Sequence, residues 1–308
     1  MPAYELTPAC KDYLWGGQRL KTDYHISSEC TPLAEAWVLS CHPDGPSVLA
    51  DGPAAGQTLP QYISDHPNCL GQNCTRFQDF PFLVKLIDAK ADLSIQVHPS
   101  DAYALMHEGQ YGKTEMWVVL DADPDAYLYF GLARTVTREE LARRIHDHTL
   151  TEILRKMPVH KGDVFFIPAG TLHAICRGIV LAEIQQNSNV TYRVYDYGRL
   201  GTDGKPRALH IRQALDVATL CPTQQQTFAP HIGECAYFTT DRLSGSFKDT
   251  VDSASFTGLL ITEGEGTLTM QRETTPLRKG DCLFLPSGSG TYSVTGAVCL
   301  LRIRVGPR

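Results

Sequence analysis

The chain has 308 residues, 43% hydrophobic and 20% charged, enough for one large or two modest globular domains. Its 28 basic and 34 acidic side chains give a formal charge of −6, and without a basic run this argues against binding nucleic acid or an anionic membrane surface. No apolar stretch approaches the length of a membrane span.

The N-terminus, Met1-Pro2-Ala3-Tyr4-Glu5-Leu6, has neither a positive n-region nor an apolar h-region, so no secretory signal is expected. Ten cysteines are scattered along the chain without a Cys-x-x-Cys pair, which fits reduced thiols in a cytoplasmic protein. Short apolar runs bounded by Gly, Pro, Asp or Ser predict strands at 35–40, 82–87, 115–120, 126–130, 163–167 and 178–184. Helices are predicted at 59–64 and 211–220. Thr137 with Glu140 and Thr149 with Glu152 fit capping boxes, so 138–157 reads as two short helices inserted between strands. Gln224-Gln225-Gln226-Thr227 has linker composition, and strands resume near 232.

The segment Leu93-Ser94-Ile95-Gln96-Val97-His98-Pro99 alternates strictly. Leu93, Ile95 and Val97 point to one face, and Ser94, Gln96 and His98 to the other. An amide and an imidazole turned inward must be satisfied, and a metal ion is one way to do it. Glu115 and His173 are further candidate ligands. Two imidazoles and a carboxylate suit zinc, with the Gln96 amide oxygen as a fourth ligand, but they suit non-haem iron as well. From local sequence alone, satisfied core or turn histidines are an equally good account of His98 and His173. The other histidines, 42 and 146 and 148 among them, read as surface or capping groups.

Lys113, two residues before Glu115, shares its face if that segment is extended. There it could bind an anion or move a proton; the plain alternative is a surface lysine. Glu183 ends an apolar run, and Arg193 shares a face with Thr191 and Tyr195. An inward arginine needs a carboxylate or phosphate partner. A structural ion pair between Arg193 and Glu183 is an equally good account.

An internal repeat sets the architecture. Lys161-Gly162-Asp163-Val164-Phe165-Phe166-Ile167-Pro168-Ala169-Gly170 aligns without a gap on Lys279-Gly280-Asp281-Cys282-Leu283-Phe284-Leu285-Pro286-Ser287-Gly288, at an offset of 118 residues. The unit resembles the second motif of the cupin superfamily, a double-sheet jelly roll. His173 ends the first copy, and Thr291 stands at the equivalent position of the second. The expectation is a mainly β chain of two cupin-type jelly-roll sandwiches with short helical inserts. Residues 1–225 would form the metal-bearing domain and 226–308 a degenerate one.

Six segments in order resemble the type I phosphomannose isomerase family in its short bacterial form. They are Lys11-Asp12-Tyr13-Leu14-Trp15-Gly16-Gly17, Glu35-Ala36-Trp37-Val38-Leu39-Ser40, Gln96-Val97-His98-Pro99, Tyr111-Gly112-Lys113-Thr114-Glu115-Met116-Trp117, Pro168-Ala169-Gly170-Thr171-Leu172-His173-Ala174 and Thr191-Tyr192-Arg193-Val194-Tyr195-Asp196. The resemblance implies one zinc ion per chain on His98, Glu115 and His173, with Gln96 as fourth ligand. It places an active-site arginine on Arg193 and sets Lys113 and Glu183 near the sugar. Arg199 stands where longer relatives tend to have a lysine. The implied activity is interconversion of mannose 6-phosphate and fructose 6-phosphate through an enediol, by a cytoplasmic monomer or weak homodimer. The alternatives are an iron-dependent cupin oxygenase, a non-catalytic sugar-phosphate-binding cupin and an isomerase of another phosphosugar.

Overall fold

The computed structural model describes residues 2–201 and 204–307. The chain is mainly β, with its sheets in a sandwich arrangement, as the alternating and apolar runs predict. By contacts it divides into two compact units, one of Met1–Ile87 with Thr227–Arg308, the other Asp88–Gln226. These units do not coincide with the division of the sequence at 225/226. The strand Tyr4–Thr7 lies far from the C-terminal segment in sequence, yet it pairs antiparallel with Cys282–Leu285, Tyr4 opposite Phe284.

The first unit carries a large antiparallel sheet built on the long strands Thr257–Met270 and Gly290–Arg304. Its interior is apolar, filled by Leu259, Ile261, Leu268, Leu283, Tyr292 and Leu300 among others. No histidine enters that cluster, and Thr291 is exposed. The same unit buries the ion pair Lys85–Glu35 at 3.6 Å, with the Trp37 indole N–H donating to Glu35 at 2.7 Å. His42, expected at the surface, is buried edge-on against Trp37 and takes the Asp44 N–H on Nδ1.

The second unit holds two layers. One contains the antiparallel ladder Val164–Ile167, Glu115–Ala122 and Ile179–Gln186. The other is a five-stranded sheet in the order Tyr192–Tyr195, Ile95–Val97, His173–Ile175, Tyr127–Leu132, Leu154–Pro158. The repeat is visible as geometry in both units. Gly162 and Gly280 take φ of +96° and +99°, conformations that glycine adopts without a Cβ clash. Asp163 and Asp281 each accept a backbone N–H three residues back, at 2.8 Å in both copies.

The insert departs from expectation. Arg138–His146 is a helix, capped by Thr137 accepting from the Glu140 N–H at 3.1 Å. The second capping box does not form, and Leu150–Ile153 is a single 3-10 turn. Residues 154–157 are strand, because pairing with Tyr127–Leu132 satisfies their backbone and Leu150, Ile153 and Leu154 are buried in the core beside it. Sheet pairing outweighs helix propensity there. No described helix is long and apolar enough to cross a membrane.

Candidate metal centre and active site

Both layers of the second unit contribute to one cluster. Gln96 lies on a three-residue strand with His98 one residue beyond it, while Glu115 and His173 are the first residues of their strands. Register aligns the five-stranded side: His173 is opposite Gln96, and Gln96 is opposite Arg193. Directly opposed residues on neighbouring strands share a face, so Arg193, Gln96 and His173 form a row, and alternation adds His98. From the facing layer, Glu115 approaches His98 Nε2 at 3.4 Å and His173 Nε2 at 3.2 Å. Ligand atoms of His98, Glu115 and His173 all lie within 4.8 Å of one another.

The backbone fixes which ring nitrogens face the cluster. His98 Nδ1 is 2.9 Å from the Val190 carbonyl, and His173 Nδ1 is 2.8 Å from the Thr171 carbonyl. A carbonyl only accepts, so each Nδ1 carries the proton and each Nε2 turns a lone pair inward. Hydrogen bonding of the outer nitrogen is the usual way a metal-ligating imidazole is oriented. Burial keeps both rings neutral. It is the main cause that pushes His98 down to about 3, with Lys113 adding to it, and it lowers His173 from the ordinary value too.

Glu115 shows that the residues fit a cation. Its side chain is wholly buried, and neither carboxylate oxygen has a partner in hydrogen-bond geometry. Such a group calls for a counter-charge. The Lys113 ammonium supplies part of it, 2.8 Å from Glu115 Oε2, as an ion pair lacking hydrogen-bond geometry. Burial alone would raise the Glu115 pKa, but the neighbouring charge, that of Lys113 first, outweighs it and holds the carboxylate ionised. Two inward imidazole lone pairs and an ionised carboxylate form a donor set for a divalent transition metal. The Gln96 amide nitrogen lies 3.4 Å from His173 Nε2. A half-turn of the terminal amide would present its oxygen as a donor at the same place.

Lys113 and Glu183 complete the group. The Lys113 Nζ donates to His98 Nε2 at 3.1 Å and lies 3.7 Å from Glu183 Oε1. Glu183 is buried and accepts from the Trp117 indole N–H at 2.9 Å. The ion pair of Glu183 with Arg193 considered above is therefore replaced by one with Lys113. Arg193 instead donates to the Ala208 carbonyl at 3.0 Å. Sequence reasoning missed Trp117 as the group that orients Glu183. The two residues are directly opposed on neighbouring strands, a pairing that no local sequence pattern announces.

Residues 3–128 match the type I phosphomannose isomerase catalytic domain, and residues 230–305 match the mannose-6-phosphate isomerase cupin domain. The mannose-6-phosphate isomerase ManA of Bacillus subtilis is 38% identical over 96% of each chain. The mannose-6-phosphate isomerase of Streptococcus mutans is 38% identical over 92% of each chain. A crystal structure of the mannose 6-phosphate isomerase from Bacillus subtilis superposes with a TM-score of 0.91 at 34% identity, covering 98% of this chain and 99% of that one. With this similarity along nearly its whole length, the chain belongs to the type I phosphomannose isomerase family of enzymes.

Proposed function

We propose that the chain interconverts D-mannose 6-phosphate and D-fructose 6-phosphate, using one zinc ion held by His98, Glu115 and His173 with Gln96 as fourth ligand. The observation that carries the reading is the placement of a buried acid–base pair, Glu183 and Lys113, 3.7 Å apart, against that donor set, with Glu183 held by the Trp117 indole and Lys113 by His98 Nε2. Zinc bound there would supply Lewis-acid polarisation of the sugar oxygens.

The chain's own residues account for the proton movements. Isomerisation removes the C2 proton of the open-chain aldose, passes through an enediol and returns a proton at C1. Glu183 and Lys113 are the groups placed to move those protons. Trp117 holds Glu183 in one orientation, which lowers the reorganisation needed at the moment of transfer. Arg193, in the row with Gln96 and His173, faces the developing oxyanion or the phosphate. All ten cysteines are free thiols, which supports a cytoplasmic setting. We retain 1–225 and 226–308 as the two ancestral jelly rolls, on the evidence of the repeated turn, and a monomer or weak homodimer as the working form.

A coupled assay with mannose 6-phosphate, run before and after chelation, tests the reading. Turnover that is lost on chelation and restored by zinc supports it. Turnover restored by ferrous iron and not by zinc would replace the metal. Oxygen consumption without isomerisation would overturn the activity.

A further inference from the structure

The backbone that carries Lys113 is held at three successive residues. The Gly112 N–H donates to Asp101 Oδ1 at 2.8 Å, the Lys113 N–H to the Pro99 carbonyl at 3.0 Å, and the Thr114 N–H to Gln186 Oε1 at 2.8 Å. The other end of the Gln186 amide closes the frame, its Nε2 donating to Asp101 Oδ1 at 2.8 Å. The Gln186 backbone N–H donates to the Thr114 carbonyl at 3.0 Å, so this one residue grips Thr114 by both of its backbone polar groups. Gln186 is buried. Its orientation has no alternative, because an N–H only donates and a carboxylate only accepts. The segment has no slack either: a Cβ on Gly112 would stand 2.5 Å from the Pro99 carbonyl oxygen and 2.6 Å from the Asp101 nitrogen. Satisfying a buried N–H is a sufficient reason for any one of these bonds. It does not account for a side-chain bracket on each neighbour of Lys113. A lysine stem is flexible, and here its ammonium must meet Glu115 at 2.8 Å, His98 at 3.1 Å and Glu183 at 3.7 Å. Gln186 ends the strand that also carries Glu183.

We propose that Gln186 and Asp101 are positioning residues for the reaction. Together they fix the backbone of 112–114 so that the Lys113 ammonium stands where proton transfer needs it. One strand then supplies Glu183 with its own side chain and sets Lys113 through Gln186. The inference rests on the reading of Glu183 and Lys113 as the proton-transfer pair and adds the groups that align it.

Steady-state kinetics of full-length Gln186→Glu with mannose 6-phosphate, expressed per bound zinc, test it. The substitution turns the donor end of the amide into an acceptor facing Asp101 and breaks the frame with little change of volume. Adding Asp101→Asn rebuilds it, since the new amide donates to the new carboxylate while its oxygen still accepts from Gly112. Misplacing a proton-transfer group lowers kcat and leaves KM nearly alone. We expect kcat of Gln186→Glu to fall roughly tenfold to a hundredfold with KM within about twofold, and the double variant to recover most of the loss. Unchanged kcat per zinc in Gln186→Glu overturns the proposal, including when only its melting temperature falls, since that is the mark of a strut. A double variant no faster than the single one overturns it as well. Should Gln186→Glu not fold, Gln186→Met removes both side-chain bonds without adding charge and carries the same expectation and the same overturning result. If the wild-type chain does not turn over mannose 6-phosphate, the functional reading fails. Hydrogen exchange of the Lys113 amide in Gln186→Met then decides this inference, because its own acceptor on Pro99 is untouched: faster exchange upholds the frame, and an unchanged rate overturns it.

Discussion

A single carboxylate concentrates the physics of the site. Glu115 is buried between two neutral imidazoles and one ammonium, so its charge is tolerated only while cations stay near it. Glu115→Gln keeps the shape and removes the charge. It is expected to abolish stoichiometric metal binding. It also leaves the Lys113 ammonium without its closest carboxylate, a loss of about 3–5 kcal/mol in urea unfolding of the chelated protein. Retained metal together with unchanged unfolding would contradict both statements. Glu183→Gln separates chemistry from metal binding, since Glu183 pairs with Lys113 and Trp117. We expect metal content to be kept and kcat to fall by roughly 10²–10⁴, and kcat at the wild-type level would remove Glu183 from proton transfer. At this scale the sequence was informative where alternation or a motif spoke, as for Gln96, His98, Glu115 and His173. It was silent where a partner comes from a strand 66 residues away, as with Trp117 and Glu183. It was silent also where several elements hold one backbone segment at once, as with Asp101 and Gln186 around Lys113.

Turns and strand faces carry the next level. The repeated Lys-Gly-Asp turn was legible because its glycine and aspartate have fixed jobs, a positive φ and an acceptor for a local N–H. A Cβ on Gly280 would stand 1.9 Å from the Tyr24 carbonyl oxygen, in a backbone already at φ +99°. Gly280→Ala should therefore cost at least the roughly 1–3 kcal/mol of a strained backbone site, read as a lower denaturation midpoint; an unshifted midpoint would mean that the turn relaxes freely. The strand Leu154–Pro158 was not legible, because its helix-like polar pattern gives way to pairing and to burial of Leu154. The outer face of Gly290–Arg304 makes a pH prediction. Asp249 accepts from Arg304, Arg302 and Tyr292. Burial would raise its pKa, but the Thr250 N–H and the two arginines outweigh it, so the folded value is depressed. A carboxyl depressed in this way stabilises fully above its unfolded value near 3.9 and loses that contribution as pH falls through the folded one. Asp249→Asn should flatten the acid limb of the stability curve between about pH 5 and 2. An acid limb as steep as that of wild type would show that the network contributes nothing there.

Across the whole chain, the sequence identified two related halves but not how the chain returns to itself. The repeat marks 161–170 and 279–288 as copies, whereas the partner of Tyr4–Thr7 lies in Cys282–Leu285, a pairing no local pattern announces. A fragment of residues 1–225 would leave Tyr4 and Glu5 without their strand partners Phe284 and Leu283. It should be poorly soluble or expanded, with weak near-ultraviolet dichroism, and a well-folded monomeric fragment would show that the N-terminal segment needs no such partner. The polar cluster around His173 has no counterpart in the apolar core of the other copy, where Thr291 stands at the equivalent position and is exposed. At this scale we propose that His98, Glu115 and His173 hold one metal ion on which isomerisation depends. Titrating chelated protein with zinc while following mannose 6-phosphate turnover tests this most directly. Activity should rise in proportion to bound zinc and level off at about one ion per chain. Full turnover in chelated protein, or activity that does not follow bound metal, would contradict it.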